Sequence, residues 1–362
     1  MWGGLVRLTN TRLFEENCLK LAISIGGSGS VDMISQTDFA VNADRLGVDT
    51  VWSAEAWGED AVTSLAFLAA KTSHIKLGTG IMQISARVPT MTAMTARSIS
   101  NLSKGRFLLG LGVSGPQVVE GLHGMRYDQP LTRLRESVEI IRETLSGKKV
   151  EYRGKHHQIP LDNSEGKAIR VKKATHAIPI YLATISPRAL QYTGRVADGW
   201  LGASFSPDYS EAHFSHIRDG AIAAGRKFED IDIHVPCVVN IGANSEQMIE
   251  KRRAEVAFSL GAMGSKGTNF YNDAYVRAGF GPQASLVQSL WYDGNRQQAI
   301  SNVTDDMVTK FSAIGDENTV RSRLQRYKDA GVNVLVLRFM TEKNAERVST
   351  LEQVIEMVSK LA

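Results

Sequence analysis

Two short apolar runs decide the fold: RFLLGLG (106–112) and VNVLVL (332–337). Neither alternates apolar with polar residues, so each needs cover on both faces, as in a parallel sheet flanked by helices. Outward from them, strand-like and helix-like segments alternate along the chain. Strands are predicted at 19–26, 49–54, 76–84, 106–112, 178–183, 199–203, 231–241 and 332–339, each followed by a helix. Ser30 is placed to cap the first helix, with Met33/Ala40 and Ile34/Val41 sharing a face and Gly47 ending it. Leu134, Val138, Ile141 and Leu145 line one face of another, and Ser186–Pro187 supplies a cap and a first-turn proline. The rhythm breaks at 151–173, read as a small hairpin-bearing loop, and at 261–303, read as a partly helical insertion. Eight βα units predict an α/β fold, a (β/α)8 TIM barrel, with a doubly wound open sheet as the second arrangement. The expected layout is one domain over 1–362, with an N-terminal extension at 1–18 and the insertion over the C-terminal face.

Composition narrows the function classes. With 43% hydrophobic and 22% charged residues, the chain reads as globular, with a core that needs no disulfide or metal. Cys18 and Cys237 sit outside any CxxC or Cys/His cluster and read as reduced thiols of a cytoplasmic protein. The net charge of +4 is scattered, with no basic stripe for nucleic acid. No run is apolar enough to span a bilayer, and the first residues do not read as a signal peptide. HExxH and GxSxG are absent, which removes the zinc hydrolase and α/β-hydrolase readings.

In a barrel, chemistry belongs to the loops that follow the strands. In this chain they are GGSG (26–29), EAWGED (55–60), GVSGP (112–116) and TISP (184–187), with GTGI (78–81) within strand three. Thr184 to Ser186 forms an anion site, with free amides and the positive end of a helix, or simply a capped helix. Ser114–Gly115 is a small polar corner that backbone and ligand can share. Glu55 ends a buried strand; it is placed to meet a polar ring edge, to act as an acid, or to pair with a Lys or Arg. Trp57 either walls a pocket or covers the core. His74, His123 and the exposed-looking His156–His157 pair lack partners at catalytic spacing.

Five stretches then coincide with a known pattern: SAEAWGEDAVTSLAFLAAKTSHIKLGTGI (53–81), LSKGRFLLGLGVSGPQVVEGLHG (102–124), PIYLAT (179–184), GRVADGWL (194–201) and GAMGSKGTNFYND (261–273). In this order they resemble the bacterial luciferase-like superfamily, in particular its coenzyme F420-dependent oxidoreductases. The resemblance implies hydride transfer between the deazaflavin C5 and a small organic substrate. It also implies a non-prolyl cis peptide at Gly80–Ile81 behind the central ring. The implied cofactor contacts are Glu55, Ala56, Gly80, Ile81, Ser114, Gly115, Thr184, Ile185 and Ser186, the last three near the phosphate. Trp57, Asn269, Phe270, Tyr271 and Asn272 are candidates for lining the substrate pocket, the insertion residues being equally open to packing roles. Some members carry an Asp–His pair where this chain has Glu55–Ala56, and an acid where it has Ser114–Gly115, so no proton donor is assigned beyond Glu55. Relatives commonly form homodimers. FMN with oxygen, in a monooxygenase, is the alternative cofactor reading. A non-catalytic interaction protein is the third.

Overall fold

The computed structural model describes residues 18–26, 32–264, 267 and 269–362. Eight parallel strands close into a barrel: β1 (Lys20–Gly26), β2 (Thr50–Ala54), β3 (Lys76–Thr79), β4 (Phe107–Gly112), β5 (Ile180–Leu182), β6 (Gly199–Leu201), β7 (Asp232–Ile241) and β8 (Val334–Phe339). Closure is direct, because Val334 of β8 pairs with both Lys20 of β1 and His234 of β7. The helices named by periodicity are present, including Ala61–Lys71, Pro130–Ser146 and Pro187–Val196. The hairpin within 151–173 pairs Tyr152 with Ile159.

Alternation along each strand divides the core. Ile23, Leu77, Leu109, Val235 and Leu335 face the helices, against Phe39, Leu65, Leu190 and Leu351. Ala22, Trp52, Leu108, Tyr181, Leu201, Val334 and Val336 face the lumen. This two-residue period fixes which side chains reach the mouth one step further along each strand.

Three local features differ from the sequence reading. Asp32 caps helix Met33–Arg45, its carboxylate accepting from the Ser35 amide at 2.9 Å; Ser30 lies outside the described residues. That helix buries Gln36, Phe39, Ala40 and Ala43, whereas Ile34, in its first turn, is 64% exposed. An additional strand, Ser312–Gly315, pairs with the last four residues of β7. It arises because β6 is short. β6 covers β7 only at Asp232 to His234, and the open edge beyond would leave backbone groups unpaired. The insertion runs on through Phe270–Tyr275, Gly281–Tyr292 and Arg296–Ser301 to this strand. With helix Ser245–Gly261 it builds a second core, in which Tyr275 stacks on Phe311 at 4.3 Å.

The lower lumen is plugged by a polar cluster. Trp52 Nε1 donates to His234 Nδ1 at 3.2 Å, which leaves Nε2 to carry the proton toward Asp232 Oδ2 at 2.9 Å. Tyr181 donates to the same Asp232 oxygen at 2.6 Å. Gly78 and Gly199 make room for the rings: a Cβ there would stand 2.3 Å from Trp52 and 2.1 Å from Tyr181. Burial pushes the Asp232 carboxyl up, but the His234 and Tyr181 bonds and the charge of Lys76 hold it below the usual range. A depressed carboxylate contributes stability above its unfolded pKa of about 3.9, and this is lost as pH falls through the folded value. Asp232→Asn should therefore unfold at lower urea than wild type at neutral pH, with the gap closing below about pH 4. A gap that stays constant from neutral pH to acid would contradict this role.

Candidate functional site

The C-terminal mouth of the barrel is a cup of small side chains. Ser24, two residues beyond Ala22 on the lumen face of β1, is exposed although its neighbours Ile23 and Ile25 are buried. Ala54, Gly80, Ala183 and Ala203 follow around the rim, all half-buried. Ile81 and Ala183 pack onto the lumen cluster and form part of the cup's floor. Layers that are filled by Trp52 and Tyr181 below give way to space above.

The Gly80–Ile81 peptide is cis, as the resemblance implied. Strand pairing changes across it. Leu77 opposes Phe107 and Met82 opposes Leu111, so β3 carries one residue more than β4 in between. The predicted strand 76–84 is thus split into Lys76–Thr79 and Met82–Gln83. Such a bulge re-aims the side chains on either side of it. Ile81 packs beside Gly112, where a Cβ would stand 2.8 Å from Ile81 Cδ1.

Glu55 is fully engaged. Its carboxylate accepts from Arg87 at 2.8 Å, from the Gln83 amide at 3.1 Å and from the Ala61 amide at 3.2 Å. Its hydrogen bond to the guanidinium is the main reason the Arg87 pKa is raised. Gln83 Nε2 donates in turn to the carbonyls of Glu55 and Ala56 at 3.1 and 3.2 Å, so the loop after β2 is fastened to β3. Gln83 Oε1 is buried with no hydrogen-bond partner. Trp57, further along the loop, is 56% exposed and does not cover the core.

Ser114 adopts a left-handed conformation at φ 59°, and its carbonyl accepts from Tyr127 at 3.3 Å. Gly115 precedes the short helix Pro116–Val119. On the far side of the mouth, Thr184 turns away from the lumen toward helix Pro187–Val196: its hydroxyl meets Thr193 at 2.7 Å and its carbonyl accepts from Trp200 at 2.9 Å. Ser186 is the N-cap residue of helix Pro187–Val196, yet its side chain makes no capping bond. Arg277, from the insertion, donates to the Ile185 carbonyl at 2.8 Å and brings a positive charge to this loop.

The insertion candidates separate. Asn269 and Asn272 are buried; Asn269 donates to Leu260 O at 2.8 Å and Asn272 to Ala284 O at 2.9 Å, so both fasten the insertion to itself. Phe270, the first residue of helix Phe270–Tyr275, is half-buried. Tyr271 lines a cavity of about 120 Å³ at the mouth, with Ser204, Pro236, Arg252 and Arg338. The histidines singled out by sequence lie elsewhere. The His156 and His157 amides donate to Glu136, which makes that pair half-buried rather than exposed. Arg277, Arg338, Gln83 and the rim residues Ser24, Ala54, Ala183 and Ala203 escaped sequence reading. A charged residue at the alternate position after Val334 and Val336 was the one signal for Arg338.

Among the described residues there is no group of His, Cys, Asp and Glu suited to a metal, and no helix long and apolar enough to cross a membrane.

Comparison with known proteins gives a consistent picture. The luciferase-like monooxygenase pattern matches residues 22–334. A Mycobacterium tuberculosis protein, provisionally named a coenzyme F420-dependent oxidoreductase, is 34% identical over 93% of this chain and 99% of its own length. The 5,10-methylenetetrahydromethanopterin reductase of Methanolobus tindarius is 29% identical over 86% of this chain and 92% of its own. Among solved structures, the coenzyme F420-dependent tetrahydromethanopterin reductase of Methanopyrus kandleri superposes with a TM-score of 0.76 at 24% identity, covering 94% of this chain and 99% of that one. Closed barrel, mouth and sequence agree: the chain belongs to the luciferase-like monooxygenase family.

Proposed function

We propose that this protein is an F420-dependent oxidoreductase acting on a small organic substrate. The observation that carries the reading is the open cup above a filled lumen. A flat tricyclic ring needs a wall without side chains, and Ser24, Ala54, Gly80 and Ala183 leave one. The buried, unpartnered Gln83 Oε1 offers an acceptor beside the same loop. When bound, F420 supplies the two-electron hydride couple at C5 of its ring. The names of the relatives above support this cofactor over FMN.

The chain's own residues bind, orient and exclude water. Ala54, Ala56, Gly80 and Ile81 give the ring its wall. Glu55 acts through the loop it fastens, and its three donors leave no reason to assign it a proton-transfer role. Ser114 and Gly115 line one flank. Ser186, with its free hydroxyl, the helix N-terminus and Arg277 receive the phosphate at the loop 184–186. The insertion lids the mouth as part of a single barrel domain, through Tyr271. Fluorescence titration tests the cofactor: saturable quenching of oxidised F420 is expected, with FMN weaker by at least about tenfold, a difference of ~1.4 kcal/mol. Preferential FMN binding with oxygen-dependent product formation would replace this reading with the monooxygenase one.

A homodimer accompanies this reading. Met91, Met94 and Leu102 are exposed along one face of helix Pro89–Leu102, with Phe67 exposed on helix Ala61–Lys71, which packs against it. Contiguous exposed apolar side chains of this kind mark association surfaces. Light scattering should give twice the chain mass, and the double substitution Met91→Glu, Met94→Glu should shift it to the single-chain mass. A wild-type monomer would remove this part. The unpaired Cys18 and Cys237 support a reducing, cytoplasmic setting.

A further inference from the structure

Arg338 is the feature that the cofactor does not absorb. It follows Val334 and Val336 on the lumen face of β8, opposite Val238 of β7. Its side chain therefore projects into the barrel mouth, exposed to solvent yet ringed by protein. Among the described residues it has no hydrogen-bond or ion-pair partner. The charge of Glu255 reaches it only at a distance, so the guanidinium keeps all its donors free for an anion that enters the mouth. The crowding is visible in its acidity: desolvation first, then the nearby charge of Arg252, lowers its pKa.

A second guanidinium faces the same space. Arg252, on helix Ser245–Gly261, lines the 120 Å³ cavity with Arg338. One carboxylate, Glu255, pairs with Arg252. Two cations against one acid leave the cavity positive. Ser204 and Tyr271, whose hydroxyls are not spent on other groups, line the wall as neutral donors; the Ser259 hydroxyl, also at the wall, already donates to the Glu255 carbonyl at 3.0 Å. Burial raises the Tyr271 pKa, which keeps that hydroxyl protonated and able to donate. Pro236, Val238 and Phe311 supply an apolar floor that excludes water from the charged contacts. The volume suits a small head group and is too small for a tricyclic ring. The cofactor's phosphate has its own cationic loop at Ile185, held by Arg277.

We propose that this pocket recognises an anionic oxygen group, a carboxylate or phosphate, on the substrate, with Arg338 as its principal ligand and Arg252, Tyr271 and Ser204 in support. The substrate class is thus an organic acid or phosphate ester, held by its charged end while its reacting carbon lies over the cup. This assignment rests on the oxidoreductase reading above.

The test is calorimetric titration of the full chain with inorganic phosphate, with and without saturating F420, in wild type, Arg338→Met, Arg338→Lys, Arg252→Gln and the surface control Lys172→Met. Phosphate should bind wild type saturably in both states. Arg338→Met should weaken it by about tenfold or more, as expected for loss of a charge-assisted bidentate contact, while Arg338→Lys keeps part of the affinity. Arg252→Gln should weaken it less and serves if Arg338→Met does not fold. Lys172→Met should change nothing, and F420 affinity, read by its fluorescence, should be alike in all five. Undetectable binding to wild type, or equal binding to Arg338→Met and wild type, overturns the proposal. So does competition between phosphate and F420, with F420 affinity lost in Arg338→Met, since Arg338 would then serve the cofactor. If F420 fails to bind wild type while phosphate still depends on Arg338, the cofactor reading falls and the anion pocket stands.

Discussion

Ala54→Trp is expected to abolish F420 binding while leaving the barrel folded. Ala54 ends β2, one lumen step above Trp52, and stands half-buried at the rim of the cup. It is half-buried at the end of its strand, above the packed Trp52 layer, so an indole there is directed into the mouth and away from the core. A change of that kind, away from packed layers, alters stability by about 1 kcal/mol or less. The flat ring of the cofactor has no such freedom, because Gly80 and Ile81 form the wall it must lie against. Overlap with one large rigid side chain should raise the dissociation constant by more than about a hundredfold, roughly 2.7 kcal/mol. Fluorescence titration gives the affinity and thermal melting the stability. Normal F420 affinity in a folded Ala54→Trp would place the cofactor somewhere other than the cup.

The second large effect concerns Glu55, and it falls on stability. Its side chain is 8% exposed and that of its partner Arg87 22%. Glu55→Ala leaves the guanidinium without its main counter-charge and strips the Ala61 and Gln83 amides of their acceptor. Breaking a largely buried pair costs several kcal/mol, in this case about 2–4 because Arg87 keeps some solvent contact. In a chain of this length that lowers the melting temperature by roughly 3–5 °C. Glu55→Gln, which keeps shape and an acceptor, should lose less. If Glu55 were instead a proton donor, Glu55→Gln would abolish turnover at an unchanged melting temperature, and that result would contradict a positioning role for this carboxylate.

How much of the fold and site was legible in the sequence follows from what carries each feature. The eight strands were legible because burial on both faces demands continuous apolar residues, and runs such as RFLLGLG have few other uses. Helix ends were legible where the cap is local, as at Ser186–Pro187. The strand Ser312–Gly315 was not, since its cause is the shortness of β6, a property of the closed barrel. Site residues divided in the same way. Gly80–Ile81 lies in a local motif and was named by resemblance. The rest of the cup was invisible because it is made of alanines and a serine from different strands, with no side-chain chemistry to flag them. Glu55 drew attention as a carboxylate at a strand end, but its three donors lie up to 32 residues away, on other elements. His234 passed unnoticed because only Asp232 of its partners is local; Trp52, which donates to it, and Tyr181, whose ring packs on it, are remote in sequence.

The central claim is that the cup at the barrel mouth holds the deazaflavin. A crystal structure of the F420 complex tests it most directly. The ring is expected to lie against Gly80–Ile81 with Ala54 and Ala183 at its edges, and the phosphate to sit at Ser186 and Arg277. A ring bound outside the lumen mouth, or a mouth closed by protein side chains in the complex, would contradict it.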